Sequence, residues 1–272
     1  MIKTRVANLL RAMLARRGYL LLNCAVMPFG VSLFADMERL NSRWKRRLDT
    51  VFDVGANVGQ FAAKALQQVP DARIYSFEPH PGTFRRLQTA MVGKEISLHQ
   101  LALGERSGCA TLYEYDASGD LTQINSLVPD SRFAVAKGLS AAEIEVPCAT
   151  IDGFCLQENI DHIGLLKIDT EGFDLFVLRG AQRMLGEGRV DFVYVEFNDL
   201  YPKQDTTGGA LLPIADYLSQ FGLIYVTSYT DYVVDLDEVF ISANALFALP
   251  PARGPKSVPQ AKMPHNAKAC RS

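Results

Sequence analysis

Four short runs carry residues able to do chemistry, and each lies where an apolar segment gives way to a turn or a helix. The first is VFDVGANVGQF, residues 51–61. Gly55 and Gly59 have no Cβ, so a ligand can lie against the backbone there, and Asp53, Ala56 and Asn57 complete the turn. A dinucleotide turn would need glycine at the positions of Asn57 and Gln60, and Asp53 would repel a pyrophosphate. The same carboxylate suits a cationic amino-acid end, directly or through water, as S-adenosylmethionine would present. The second run ends Tyr75-Ser76-Phe77-Glu78-Pro79. Glu78 stands about twenty residues past the glycines, the spacing at which a carboxylate accepts hydrogen bonds from ribose hydroxyls. Leu103, in the segment Gln100–Gly104, is expected near the adenine.

The third run, LLKIDTEGFDLFVLRGA at 165–181, delivers Asp169 and Glu171 to a strand end, and the fourth, VYVEFN at 193–198, delivers Glu196 and Asn198. Carboxylates at adjacent strand ends repel one another unless a ligand or cation offsets the cost. Two mechanisms of hydroxyl activation fit. Asp169 or Glu196 acts as general base, or Asp169, Glu196 and Asn198 hold Mg²⁺, which lowers the pKa of the substrate oxygen. A structural alternative has Asp169 and Glu171 only shaping the pocket or capping the next helix. His80 is read as a pocket-rim residue and a further base candidate. Lys167 is read as a sheet-edge residue with buried stem and exposed amine. Asn125-Ser126-Leu127 is expected to cover the cofactor or touch substrate, with Tyr201, Pro202 and Tyr229–Tyr232 forming an acceptor wall.

The elements that must position these groups alternate strand and helix between residues 50 and 249. Strands are expected at Thr50–Val54, Arg73–Phe77, Ile96–Leu101, Ile163–Ile168, Val190–Val195, Leu223–Thr227 and Ala243–Ala248. Helices are expected at Val58–Val69, from Pro81, at Phe173–Leu185 and at Leu211–Phe221. Continuously apolar strands separated by helices imply a mostly parallel sheet covered on both faces, an α/β Rossmann-like fold. Residues 105–150 break the rhythm and read as an inserted hairpin or lid.

Residues 1–49 form a helical extension. Apolar positions at helical spacing in residues 1–17, among Lys3, Arg5, Arg11, Arg16 and Arg17, predict an amphipathic helix packed on the domain, with peripheral membrane contact of that basic helix as the alternative. The tail from residue 250 is proline-rich and predicted to be disordered. The near balance of 28 Lys+Arg and 30 Asp+Glu in 272 residues, net −2, argues against nucleic acid as the main partner. Five scattered cysteines read as reduced thiols of a cytoplasmic protein.

Taken together, VFDVGANVGQF, SFEPHP, LALGE, INSL, the Thr150–Asp152 turn, LLKIDTEGFDLFVLRGA, VYVEFN and the closing NALFA resemble the FkbM family of methyltransferases. The resemblance runs from about residue 50 to 249. It implies a class I methyltransferase fold, S-adenosylmethionine as methyl donor, and O-methylation of a sugar, glycan or polyketide-type small molecule. It further implies that Asp53, Gly55, Asn57 and Gly59 line the methionine end of the cofactor, Glu78 its ribose, and that Asp169 lies near the reacting centre. Two rivals are kept. A nicotinamide-dependent oxidoreductase would need the glycine triplet, and a non-catalytic binding or scaffold protein would carry damage at Gly55, Glu78 or Asp169, where none is seen.

Overall fold

Strands buried on both faces need helices on both faces, and the segments Thr50–Val54 (β1) and Ile163–Ile168 (β7) are buried at every position. The computed structural model describes residues 13–14, 16–17, 27–115, 125–128, 141–197, 209–233 and 241–251. The further elements are α1 (Leu33–Trp44), α2 (Gln60–Gln68), β2 (Arg73–Phe77), α3 (Pro81–Ala90), β3 (Ile96–His99), β4 (Ala102–Leu103), β5 (Gly108–Glu114), β6 (Ala142–Ala149), α4 (Ile151–Gln157), α5 (Asp174–Arg179), α6 (Gln182–Gly186), β8 (Val190–Phe197), α7 (Leu211–Ser219), β9 (Ile224–Val233) and β10 (Ile241–Ala248).

The main sheet has seven strands in the order β3-β2-β1-β7-β8-β10-β9. Pairing is parallel from β3 through β8 and antiparallel for β8 with β10 and β10 with β9. This is the α/β architecture expected. Side chains alternate between two cores. Phe52, Val54, Leu166, Ile168, Val193 and Val195 pack in one, while Val51, Leu165, Phe192 and Tyr194 pack in the other. The inserted region forms a second sheet of β4, β6 and β5, with Gly108–Glu114 antiparallel to Ala142–Ala149.

Three departures from the expectation have local causes. The helix expected at Phe173–Leu185 is two, because the carbonyl of Gly180 turns out of the helix to accept from Asp152 N at 2.9 Å. The Asp152 carboxylate then caps α6 by accepting from Arg183 N (2.7 Å) and Met184 N (3.0 Å). Residues 151–157 form a helix capped by Thr150, not only a turn. The third strand ends at His99, and Ala102–Leu103 joins the second sheet. Within the helical extension expected over residues 1–49, Leu33–Trp44 is a helix whose Leu33, Phe34 and Met37 enter the core beside Val51 and Phe192. The helix expected over residues 1–17 and the tail beyond Pro251 lie almost wholly outside the described residues. Among the described residues no helix is long and apolar enough to cross a membrane.

Asp36 fastens α1. It is fully buried, and its carboxylate accepts from Tyr229 OH and from Gly30 N, both at 2.8 Å. Arg39 pairs with it at 3.4 Å. Replacing Asp36 by Ala leaves a buried hydroxyl and a backbone N–H without their acceptor. Asp36→Ala is expected to destabilise the fold by about 3 kcal/mol. Urea unfolding should show this as a lower midpoint at an unchanged slope.

Candidate active site

In an open parallel sheet a crevice forms where the order of strands reverses, outside their carboxyl ends. Here the reversal lies between β1 and β7, and a cavity of about 510 Å³ opens beside it, within the usual size of small-molecule sites. Gly55, Ala56, Asn57, Glu78, Leu103, Asp169 and Glu196 all line it, so most of the residues singled out in the sequence meet in one place.

The turn after β1 depends on Gly55. Its φ is +72°, and a Cβ there would overlap the carbonyl oxygen of Asp169. Gly55 N and Ala56 N both donate to Phe77 O, at 3.0 and 2.9 Å, which ties the turn to β2. Asn57 then adopts φ +48° and donates its N–H to Glu78 Oε2 at 3.0 Å, while His80 N donates to Glu78 Oε1 at 2.9 Å. A carboxylate has about four acceptor positions, so these two bonds aim Glu78 and leave it capacity for a ligand. Burial pushes the Glu78 carboxyl up to about 7, against the pull of the His80 and Asn57 amides. Asn57 Oδ1 is buried without a partner among the described residues and lies on the cavity wall.

Gly59, Asp53 and His80 do not reach the cavity wall. Gly59 begins α2 at φ +88° and packs against Leu87 and Met91. His80 caps α3: its Nδ1 accepts from Thr83 N at 3.1 Å, leaving Nε2 to face Glu114 Oε1 at 3.2 Å. It joins the helix after β2 to the inserted sheet. Asp53 is fully buried beneath the turn, where Lys167 holds it.

Lys167 corrects the sequence reading most. It is buried on a central strand, directly opposite Asp53 in the parallel register, not at a sheet edge with its amine exposed. Nζ lies 3.0 Å from Asp53 Oδ1 and 3.4 Å from Asp169 Oδ2, and donates to Gly55 O at 2.8 Å and Val54 O at 3.3 Å. Burial alone would depress the ammonium, but the two carboxylates outweigh it and hold Lys167 above its ordinary value. A lysine in an otherwise apolar, doubly covered strand must be paired, and that was the available signal.

The carboxylate oxygens of Asp169, Glu171 and Glu196 lie within 4.8 Å of one another. Asn198, the third ligand of the sequence-based metal set, lies outside the described residues. Neither Asp169 nor Glu171 caps the helix after the loop, which has no side-chain cap; Asp174, its first residue, instead ties the loop back by accepting from Thr170 N (3.3 Å) and Gly172 N (3.2 Å). Burial and then Asp169 push the Asp174 carboxyl up to about 7. Leu101, Leu103, Leu112, Leu127 and Phe77 supply the apolar part of the lining, and Asn125 also lines the cavity. Tyr201 and Pro202 lie outside the described residues, and Tyr229 is buried against Asp36, not on the cavity wall.

Residues 53–225 match the methyltransferase FkbM domain. The chain belongs to the FkbM methyltransferase family. This FkbM protein is 27% identical over 186 residues to the 2-O-methyltransferase NoeI of Sinorhizobium fredii, covering 64% of this chain and 72% of that protein. It is 28% identical over 160 residues to the 31-O-demethyl-FK506 methyltransferase FkbM of Streptomyces tacrolimicus, covering 49% of this chain and 60% of that one. With the hexuronic acid methyltransferase AglP of Haloferax volcanii it shares 29% identity over 174 residues, 63% of this chain and 65% of that one. The match thus spans less than two thirds of the latter two proteins. The FkbM chain is a methyltransferase that uses S-adenosylmethionine. The chemistry of its cavity fits that molecule: apolar side chains for an adenine, an aimed carboxylate and an orphaned amide oxygen beside the glycine turn, and carboxylates suited to a sulfonium cation.

Lys167→Met would strip the buried Asp53 of its counter-ion while keeping the stem volume. Desolvation already raises the Asp53 carboxyl, and Lys167 is the largest influence drawing it back. Without it, Asp53 protonates more readily when folded than unfolded, a penalty that grows as pH rises above the unfolded value. The variant is expected to lose about 3 kcal/mol at pH 8 and less at pH 5, as measured by urea unfolding at the two pH values.

Proposed function

We propose that this enzyme transfers the methyl group of S-adenosylmethionine to a hydroxyl of a sugar, glycan or polyketide-type small molecule. The observation that carries this reading is the pairing, in one cavity, of the Glu78 cradle with carboxylates at the ends of β7 and β8. Bound there, S-adenosylmethionine supplies an electrophilic methyl group. A hydroxyl attacking it must lose its proton, and a carboxylate within reach of the attacking oxygen accepts it. Asp169 and Glu196 are the acceptors read from the sequence, and both line the cavity.

Glu78 and the Gly55–Asn57 turn hold the adenosyl moiety. Leu103 lies on the apolar wall that takes the adenine. Asp53 acts through Lys167 rather than by touching the ligand. The acceptor side is lined by Phe61, Tyr194, Lys64 and Asn244. Rings that cover sugar C–H faces beside amide, carboxylate and ammonium groups support a polyhydroxylated acceptor. The names of the relatives, an O-methyltransferase and a hexuronic acid methyltransferase among them, support the same class. The free thiols Cys109, Cys148 and Cys155 support a reducing, cytoplasmic setting.

A second reading places Mg²⁺ on Asp169, Glu171 and Glu196, favoured by the closeness of their ligand atoms. Lys167, 3.4 Å from Asp169, opposes it by already offsetting part of the negative charge. The test is transfer of isotopically labelled methyl from S-adenosylmethionine to a panel of monosaccharides, uronic acids and polyketide alcohols, with and without EDTA. Label in an ether linkage, unaffected by EDTA, is the expected result. Label only on amines, or none despite binding of S-adenosylhomocysteine, would remove the hydroxyl assignment.

Glu78→Gln is expected to weaken S-adenosylhomocysteine by roughly tenfold at pH 8, about 1.4 kcal/mol, through loss of charge-assisted hydrogen bonds. Ribose hydroxyls favour the ionised carboxylate, so wild-type affinity should rise with pH through about 7. The variant should lose that slope in calorimetric titrations between pH 6 and 8.

A further inference from the structure

Three carboxylates reach one wall of the cavity, and a single proton has to leave the acceptor. Asp169 is already engaged in an ion pair with the Lys167 ammonium at 3.4 Å. Glu196, half-buried on β8, makes contacts of its own. The carboxylate of Glu171 differs. Among the described residues no hydrogen bond or ion pair reaches it, although it lines the cavity within 4.8 Å of the other two.

The backbone that presents Glu171 is strained and held from outside. Glu171 has φ +54°, a left-handed conformation that costs a non-glycine residue on the order of 1 kcal/mol or more and persists only where the surroundings enforce it. They do so from two sides. The N–H groups flanking Glu171, those of Thr170 and Gly172, both donate to the Asp174 carboxylate. On the other side, Ser126 Oγ donates to the Glu171 carbonyl at 2.8 Å. Ser126 is 1% exposed and is fixed in turn by pairing with Tyr113. Such enforcement at a cavity wall points to a side chain whose placement matters for function.

We propose that Glu171 is the general base of methyl transfer. The inference rests on the hydroxyl-transfer reading above. The acceptor oxygen bonds to the methyl carbon as the carbon–sulfur bond breaks, and the electron pair of that bond stays on sulfur. The acceptor proton passes to a Glu171 carboxylate oxygen, giving a methyl ether, S-adenosylhomocysteine and a protonated Glu171. The groups around that carboxylate are Asp169 on its own loop, Asp174 on α5, Lys167 on β7 and Glu196 on β8. Burial and the negative neighbours Asp169 and Asp174 raise its carboxyl well above the ordinary value, with Lys167 opposing.

The test compares wild type, Glu171→Gln and Glu171→Asp in EDTA, with an acceptor that the wild type methylates, and measures kcat, KM and S-adenosylhomocysteine affinity across pH. Glu171→Gln is expected to lower kcat by about 10²–10³-fold and to abolish the acid limb of the kcat profile. Acceptor KM and product affinity should stay within about threefold of wild type. Glu171→Asp should keep the limb and lose roughly tenfold in kcat, because its carboxylate stands one methylene back. A Glu171→Gln enzyme with kcat within about threefold of wild type, or with the acid limb intact, overturns the assignment. Should Glu171→Gln fail to bind S-adenosylhomocysteine, an unchanged kcat in Glu171→Asp overturns it instead. Wild-type activity lost in EDTA also overturns it and transfers the role to a metal. A wild type that binds S-adenosylhomocysteine yet methylates no hydroxyl sinks the underlying reading first.

Discussion

The site hangs on one buried ammonium. Lys167 projects from the middle of the sheet into a space it shares with Asp53, and its three N–H donors are taken by two carboxylates and the carbonyls that begin the glycine turn. A charge so placed is tolerated only when its partners are fixed, and they are fixed by strand register, since Asp53 and Lys167 stand opposite each other between β1 and β7. One cation therefore joins the turn, Asp169 and the buried Asp53. Gly55 completes the arrangement. Its bare Cα lets the β1 turn press on the Asp169 carbonyl, which joins the glycine turn directly to the acidic loop.

What could be read from the sequence follows the range of the interactions involved. The glycine turn, Glu78, Asp169 and Glu196 were legible because each lies at the end of an apolar run, and a parallel sheet delivers all such ends to one edge. Their meeting in one cavity needed no knowledge of side-chain packing. Lys167 was misread because its meaning depends on register with a strand more than a hundred positions earlier, which local hydropathy does not encode. Asp53 was assigned to the ligand for the same reason, since its partner was invisible. The break at Gly180 is likewise non-local: it requires Asp152 to take over the backbone groups that a continuous helix would satisfy itself.

The inserted region has a larger part than a surface lid. Leu112 and Leu127 supply part of the apolar wall of the cavity, and the pairing of Ser126 with Tyr113 carries the hydroxyl that anchors the 169–172 loop. His80 fastens the same small sheet to the start of α3 through Glu114. The insertion is thus bonded at both ends of the cavity, to the segment after Glu78 and to the acidic loop. Variation in its length or sequence would alter acceptor access and acid-loop geometry together.

Charge flow explains why so acidic a wall suits methyl transfer. In the reactant state the positive charge lies on sulfur. As the acceptor oxygen takes the methyl group, that charge moves onto the oxygen until its proton leaves. Carboxylates spread evenly around the cavity would stabilise both states alike and accelerate nothing. Here Lys167 treats them unequally. Asp53 and Asp169 are ion-paired to it at 3.0 and 3.4 Å, whereas among the described residues no ion pair reaches Glu171. The negative charge of the wall is therefore offset unevenly, and an uneven field is what can favour one state of the reaction over the other. The ammonium that organises the fold of the site also shapes its electrostatic field.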